Sequence, residues 1–149
     1  MSAARIQEVH RLCVIPLCTP RYDSPMAQIT STDFFEQGID LFNEGRFFEC
    51  HEAWEEIWKR SDGEVKLFYQ GLIQAAVAIL HAQRGNLEGA RSLHQKAREK
   101  LDPLADEHMG IALGEMRVAL ADFIDVVLRG TVSPLPEPPR LKRVGSRRK

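Results

Sequence analysis

The sequence predicts an all-α fold, a compact bundle of about five helices. Apolar residues recur at helical spacing in five successive stretches, short glycine-containing turns separate the stretches, and no segment alternates polar and apolar residues over a useful length. The 149 residues, 44% hydrophobic and 28% charged, suit one domain with a sizeable core plus tails, which excludes fibrous and intrinsically disordered proteins. We expect this domain to span residues 30–132, between a flexible leader (1–29) and a Pro-rich, then basic tail (133–149).

The first two predicted helices form a hairpin. Ser31 or Thr32 caps the first helix, which ends at Gly45. The second helix runs from Phe47 to about Arg60 and ends at a Ser-Asp-Gly turn. The core-facing residues of the first helix are Phe34, Phe35, Ile39, Leu41 and Phe42.

The third predicted helix, about Glu64 to Gln83, should be the buried centre of the bundle. Its stretch from residue 67 to 82 has no formally charged residue, as expected of a helix enclosed by others. A stripe of small residues should let a neighbouring backbone approach closely. The stripe consists of Gly71, Ala75, Ala78 and Ala82. We expect the first, fourth and fifth helices to wrap around this centre.

The last two predicted helices are amphipathic. The fourth, Leu87 to Leu101, cannot continue far because Pro103 follows it. The fifth covers about Ile111 to Arg129 and ends at Gly130.

The end of the chain differs from its body in charge. Residues 140–149 hold six basic side chains and no acid, whereas residues 1–139 hold 14 basic and 21 acidic ones. Such a tail suits an acidic partner, but a solvated terminus is the commoner reading, so we do not expect a nucleic-acid binder. We expect Pro134 to Pro139 to be extended, with Leu135 and Leu141 anchoring this segment to the bundle.

Cysteine usage and the lengths of the apolar runs predict a cytoplasmic protein. Cys13, Cys18 and Cys50 are odd in number, and no convincing export signal is present. Cys50 lies on the apolar arc of the second helix and is expected in the core. No apolar run reaches the roughly eighteen residues that a membrane span needs, so no membrane contact is expected.

Residues with binding or catalytic chemistry lie on the second helix. His51 and Glu55 are one turn apart at the margin of its apolar arc, and Glu52 falls just beyond them. An enclosed carboxylate costs several kcal/mol unless it is paired, protonated or metal-bound. We therefore expect Glu55 to pair with His51.

Gln70, Gln74 and His81 form a polar stripe about 40° wide along the otherwise apolar third helix. Three interpretations stay open for this stripe and the polar edge of the second helix. They could form a hydrogen-bonded lattice that fixes the register of the two helices. They could bind a divalent metal or a small ligand, because His and Glu on facing helices build such sites. They could also be exposed groups without a special role.

The binding hypothesis assigns a role to each polar residue. His51, Glu55 and His81 would hold the metal, and the residues around a small ligand would be Glu52, Gln70, Gln74 and Trp58. In a catalytic site His51 would be a general base oriented by Glu55. H-E-x-x-H fails because Glu55 replaces the second histidine, and no P-loop or G-x-S-x-G is present. Neither a reaction nor a substrate follows, and whether the protein is an enzyme stays open.

A protein-interaction module is the alternative function. Gly45-Arg46-Phe47-Phe48 and Gly85-Asn86-Leu87 each follow one helix and precede another, which outlines two successive helical hairpins. Such hairpins resemble tetratricopeptide repeats, whose period is about 34 and which usually need three or more copies. The partner is unknown, and a homo-oligomer stays open because the first and fifth helices could bury their faces across a two-fold axis.

Several of these residues also form one ordered pattern. It runs GIDLFNEGRFFECHEAWE from residue 38 to 55, then Trp58, QGLIQ from residue 70, His81, and GNLEGA from residue 85. Over about residues 32–101 this pattern resembles the all-helical family catalogued as domain of unknown function 309. The resemblance implies a compact helical bundle without an established activity. The family pattern includes the positions of His51, Glu52, Glu55, Trp58, Gln70, Gln74 and His81.

Overall fold

The computed structural model describes residues 31–130 and 134–144, and the predicted leader 1–29 lies outside them. The described residues form five α-helices and one two-stranded sheet, so the all-α prediction is confirmed. The helices are α1 (Ser31–Asn43), α2 (Phe47–Trp58), α3 (Gly63–Gln83), α4 (Leu87–Leu101) and α5 (Leu113–Arg129).

Consecutive helices pack against each other: α1 on α2, α2 on α3, α3 on α4 and α4 on α5. Helix α3 is therefore central, with α2 and α4 as its main neighbours. The expectation that α1 and α5 wrap directly around α3 is only partly right. Short connections place each helix beside the one before it. Even so, the ring of Phe35 on α1 contacts Phe68 and Tyr69 on α3, at centroid distances of 6.2 and 5.8 Å.

The small residues of α3 are buried, and at Gly71 the close neighbour that the sequence predicted is α4. Ala75, Ala78 and Ala82 are at most 2% exposed. A Cβ atom added to Gly71 would lie 2.5 Å from Cγ of Leu101, so only glycine fits there. The close approach of α4 therefore depends on these small side chains.

Helix α3 is long and apolar enough to cross a membrane by length and composition, which the sequence analysis did not expect. Most of that stretch, 61%, is buried inside the bundle. One such helix is weak support for a membrane span, because the core helix of a bundle has the same composition.

The turns after α1 and α3 are built alike. Gly45 and Gly85 both adopt the left-handed conformation, with φ of 84° and 81°. In each turn the glycine N–H bonds a carbonyl three residues back and the next N–H bonds a carbonyl five residues back, as in a Schellman motif. The bonds are Gly45 to Phe42 (3.1 Å) and Arg46 to Leu41 (2.9 Å), then Gly85 to Ala82 (3.2 Å) and Asn86 to His81 (2.9 Å).

A small hairpin precedes α5, where the sequence predicted the start of that helix at about Ile111. Strands β1 (Glu107–His108) and β2 (Ile111–Ala112) pair antiparallel. Met109 and Gly110 between them have φ of 52° and 78°, as a two-residue type I′ turn requires. The prediction was wrong here because strands of two residues are too short to show alternation.

The segment after α5 returns to the bundle. Leu141 is 3% exposed, so its predicted anchoring is confirmed, whereas Leu135 is 42% exposed and does not anchor the segment. The difference has a physical reason, because the Asn43 side chain holds the backbone of Leu141 through two hydrogen bonds. Arg143 forms an antiparallel bridge with Ile111 beside the hairpin.

Candidate functional site

Helix α2 carries two ionisable groups into the protein interior. Its apolar arc is in the core, where Cys50 and Trp54 are fully buried. His51 and Glu55 lie at the margin of this arc and are only 1% and 4% exposed. The expected enclosure of this edge is confirmed for both residues, while Glu52 beyond them is half-buried. The pairing of His51 with Glu55 stays a prediction.

Burial changes the acidity of Glu55. Loss of hydration is the main cause that raises the pKa of its carboxyl group to about 7. The positive charge of Lys59 opposes this rise, and the negative charges of Glu56 and Glu52 add to it. Glu55 therefore gains or loses a proton near neutral pH, the range in which a proton-exchanging group acts.

Helix α3 presents its polar stripe beside this edge. Lys66 Nζ lies 4.7 Å from the centre of the Trp58 ring, which sets the register of the antiparallel α2–α3 pair. With both helices rising about 1.5 Å per residue, Gln70 comes within one residue of the level of Glu55, and Gln74 within one residue of the level of His51. Gln70 and Gln74 are both half-buried. We call the four residues His51, Glu55, Gln70 and Gln74, together with Trp58, the polar row.

Two polar atoms of the polar row are buried with unsatisfied hydrogen-bonding capacity. Gln74 Oε1, an acceptor, and Trp58 Nε1, a donor, have no hydrogen-bond partner among the described residues. Such atoms cost about 1–3 kcal/mol each when buried, so native structures rarely contain them. Groups of a bound molecule would satisfy both.

His81 lies at the other end of α3, in the turn to α4. Asn86 Nδ2 is 3.1 Å from His81 Nδ1, and since an amide nitrogen only donates, the ring nitrogen accepts this bond. Asn86 Oδ1 accepts from Gly89 N–H at 3.0 Å and so caps α4. A Cβ atom on Gly89 would come within 2.6 Å of Asn86 Nδ2 and 3.1 Å of the His81 ring. The GNxxG segment of the family pattern thus includes a helix cap that His81 supports.

The structure does not bring the predicted metal ligands together. Within residues 31–130 and 134–144, no three His, Cys, Asp or Glu side chains are close enough to hold a metal ion. The register of α2 and α3 explains this, because it places His81 on the order of 10 Å along the helix axis from His51. The assignment of His51, Glu55 and His81 as metal ligands therefore stays a prediction.

A cleft that the sequence analysis missed lies between α4 and α5. It encloses about 630 Å³, and its walls include His94, Arg98, Asp102 and Arg117. Burial, with the nearby Arg98, lowers the pKa of His94, whereas Asp102 opposes this shift. No residue of the polar row lines this cleft. Its walls combine residues of α4, the β1–β2 hairpin and α5, so no local pattern marks it.

The family resemblance is confirmed by comparison with known proteins. The model of the family described as "Domain of unknown function (DUF309)" matches residues 35–93. Residues 35–93 are therefore similar to the DUF309 family. This DUF309 segment runs from α1 into α4 and contains the whole polar row and the His81–Asn86 turn.

Two relatives are also uncharacterised. An uncharacterized protein of Aquifex aeolicus (strain VF5) is 33% identical over 102 residues, which are 68% of this chain and 29% of that protein. The uncharacterized protein YpuF of Bacillus subtilis (strain 168) is 46% identical over 48 residues, 32% of this chain and 28% of that protein. The chain therefore matches less than a third of the length of either relative. Similarity to the DUF309 family indicates a fold without an activity.

Proposed function

We propose that the polar row between α2 and α3 binds a small polar ligand. The observation that carries this proposal is the pair of unsatisfied buried atoms, Gln74 Oε1 and Trp58 Nε1. The register of α2 and α3 separates these two atoms by on the order of 10 Å along the helix axis, so a ligand that donates to the first and accepts from the second must be elongated along the row. Glu55 adds a group that exchanges a proton near neutral pH, His51 adds a buried imidazole, and Gln70 and Glu52 add polar contacts at the rim.

A hydrogen-bonded lattice within the protein is the competing explanation for the row. A lattice stabilises a fold when every member is satisfied, whereas an incomplete lattice is worse than an apolar core. The row contains two atoms that the described residues leave unsatisfied, so it has the character of a receptor.

A divalent metal on His51, Glu55 and His81 is the less favoured occupant. His81 would have to leave Asn86, and the α3–α4 turn would have to move toward α2. An organic ligand needs no such movement.

Native mass spectrometry of the full chain, purified without chelator, tests the proposal. We expect the native mass to exceed the denatured mass by one ligand, and elemental analysis of the same sample to show less than stoichiometric metal. Gln74→Leu and Glu55→Gln should lose the ligand. Glu49→Gln is the matched control, because Glu49 lies exposed on the other side of α2. Equal native and denatured masses for the wild-type chain would contradict the proposal.

A protein-interaction module is the second candidate function. The repetition of the Schellman turn in two successive hairpins supports it, because stacked helical hairpins commonly form binding surfaces. We further propose a cytoplasmic location, which the reduced and buried Cys50 supports.

A further inference from the structure

The end of the described chain lies in a groove as an extended peptide would. Helix α1 forms one wall of this groove, and the β1–β2 hairpin with the start of α5 forms the other. We call residues 139–143 the strap and this channel the strap groove. None of its contacts involves the polar row, so the inference deepens the second candidate function alone.

The strap is held mainly through its backbone. Asn43 on α1 accepts from the Leu141 N–H at 2.7 Å and donates to the Leu141 carbonyl at 3.0 Å. On the other wall, Ala112 N–H donates to the Lys142 carbonyl at 2.9 Å, and Val144 N–H donates to the Gly110 carbonyl at 2.9 Å. Recognition of this kind adds a strand to a sheet edge and accepts many sequences with a suitable side-chain pattern.

Side chains give the groove its selectivity. Leu141 is buried and therefore fills an apolar site. The next two residues are basic, and each meets an acid of the bundle: Lys142 lies 3.3 Å from Glu115, and Arg143 pairs with Glu36. Arg143 also lies over the Phe35 ring, 5.8 Å from its centre. The groove thus fits one apolar residue followed by two basic ones.

The strap has fewer buried side chains than the helices, so we expect it to open at a lower cost than the bundle. Among residues 134–144 the chain forms no helix, and only Pro139 and Leu141 are buried. The two ion pairs of the strap are exposed, with half or more of each acid in solvent, so they contribute little to holding it. Segments with few buried contacts open at a lower free-energy cost than the core.

We infer that the strap groove binds an extended segment of another protein with the pattern apolar-basic-basic, and that the chain's own Leu141-Lys142-Arg143 occupies it in competition. Charge complementarity favours this class of partner, since the groove walls carry Glu36 and Glu115 and residues 1–139 hold 21 acidic against 14 basic groups. Release of the strap exposes the Asn43 amide and the Ala112 N–H to the incoming backbone.

Fluorescence anisotropy with a labelled peptide of sequence EPPRLKRV, residues 137–144, tests this inference on the full chain. The Leu141→Asp variant should bind the peptide at least tenfold more tightly than the wild type, because the tethered strap competes at high effective concentration. A peptide with aspartate in place of its leucine should bind at least tenfold more weakly. Adding Asn43→Ala to the Leu141→Asp chain should weaken binding by a similar factor.

Circular dichroism shows whether each variant is folded, and Leu141→Ala removes the buried anchor of the strap more gently if Leu141→Asp does not fold. A folded, strap-released variant that fails to bind the peptide would overturn the inference. Equal binding of the two peptides would also overturn it. A wild-type dimer that disappears in Leu141→Asp, measured by light scattering, would replace the foreign partner with strap exchange between two copies.

Discussion

The hairpins α1–α2 and α3–α4 share one backbone design and differ in chemistry. Gly45 and Gly85 form the same turn, with φ of 84° and 81°. Several pairs of buried residues are separated by the same number of positions as these two glycines. The buried pairs are Phe35 with Ala75, Ile39 with Ile79, Phe42 with Ala82, Cys50 with Ala90, Ala53 with Leu93, and Ile57 with Ala97. This repetition shows which positions the hairpin needs for its fold.

The polar row does not follow the repetition. Gln74 on α3 corresponds to Phe34 on α1. The buried Glu55 of α2 corresponds to Gln95 of α4, which is exposed. The first hairpin thus has an apolar residue at the position of Gln74, and the second has no buried carboxylate at the position of Glu55. Neither feature is therefore common to the two hairpins.

Replacing Glu55 by glutamine, the residue type of its counterpart Gln95, should give the largest change in stability. The pKa of Glu55 rises from 4.5 in the unfolded chain to about 7 in the fold, so the folded state binds more protons between these values. Wild-type stability should therefore fall as the pH rises from 4.5 to 7, by about 3 kcal/mol in total. Glu55→Gln should remove this loss and be more stable than the wild type at pH 8, as urea unfolding measures. An equal change in the exposed control Glu49→Gln would contradict the assignment to Glu55.

Changes at the N-terminal caps of α2 and α4, the second helices of the two hairpins, should alter the stability by an intermediate amount. Asn86 caps α4, whereas Arg46 at the same position of α2 makes no side-chain cap. Asn86→Ala should cost about 1–2 kcal/mol, because the Gly89 N–H and His81 lose a partner.

The reverse change should transfer the cap to the first hairpin. Arg46 has φ −94° and ψ 70°, close to the −88° and 82° of Asn86. Arg46→Asn should therefore stabilise the chain by about 1 kcal/mol, since the exposed ion pairs of Arg46 contribute little. Thermal unfolding checks both variants. A destabilised Arg46→Asn chain would show that the two turns are not equivalent.

His94 of α4 corresponds to the fully buried Trp54 of α2. Replacing His94 should change the stability least, and its effect should depend on pH in the opposite direction to that of Glu55. Burial lowers the pKa of His94 below 6.5, so the unfolded chain binds the proton more readily. The stability that the neutral His94 contributes should be complete above pH 6.5 and be lost as the pH drops below it. In a chain that carries Glu55→Gln, the further change His94→Gln should reduce the loss of unfolding free energy below pH 6.5, which is the acid limb of a plot of unfolding free energy against pH. An unchanged limb would contradict the account.

Patterns over short stretches of the sequence predicted the helices and the turns between them. Helical spacing and glycine turns predicted five helices within a few residues of their ends, and the wheel of α2 predicted the burial of His51. The predictions that failed concern contacts between residues far apart in the sequence. Leu135 and Leu141 are equally apolar, and contacts with distant residues distinguish them, such as the contact of Leu141 with Asn43, 98 residues away. His81 was predicted to act together with His51, but the register of α2 and α3 places it on the order of 10 Å away along the helix axis.

The most direct test of the central claim is the free energy of unfolding of ligand-free Gln74→Leu, compared with ligand-free wild type. If the polar row serves a ligand, removing the unsatisfied Gln74 Oε1 should leave this free energy unchanged or raise it by about 1 kcal/mol. A decrease of about 1 kcal/mol or more would mean that Gln74 supports the fold, and the row would then be a structural lattice.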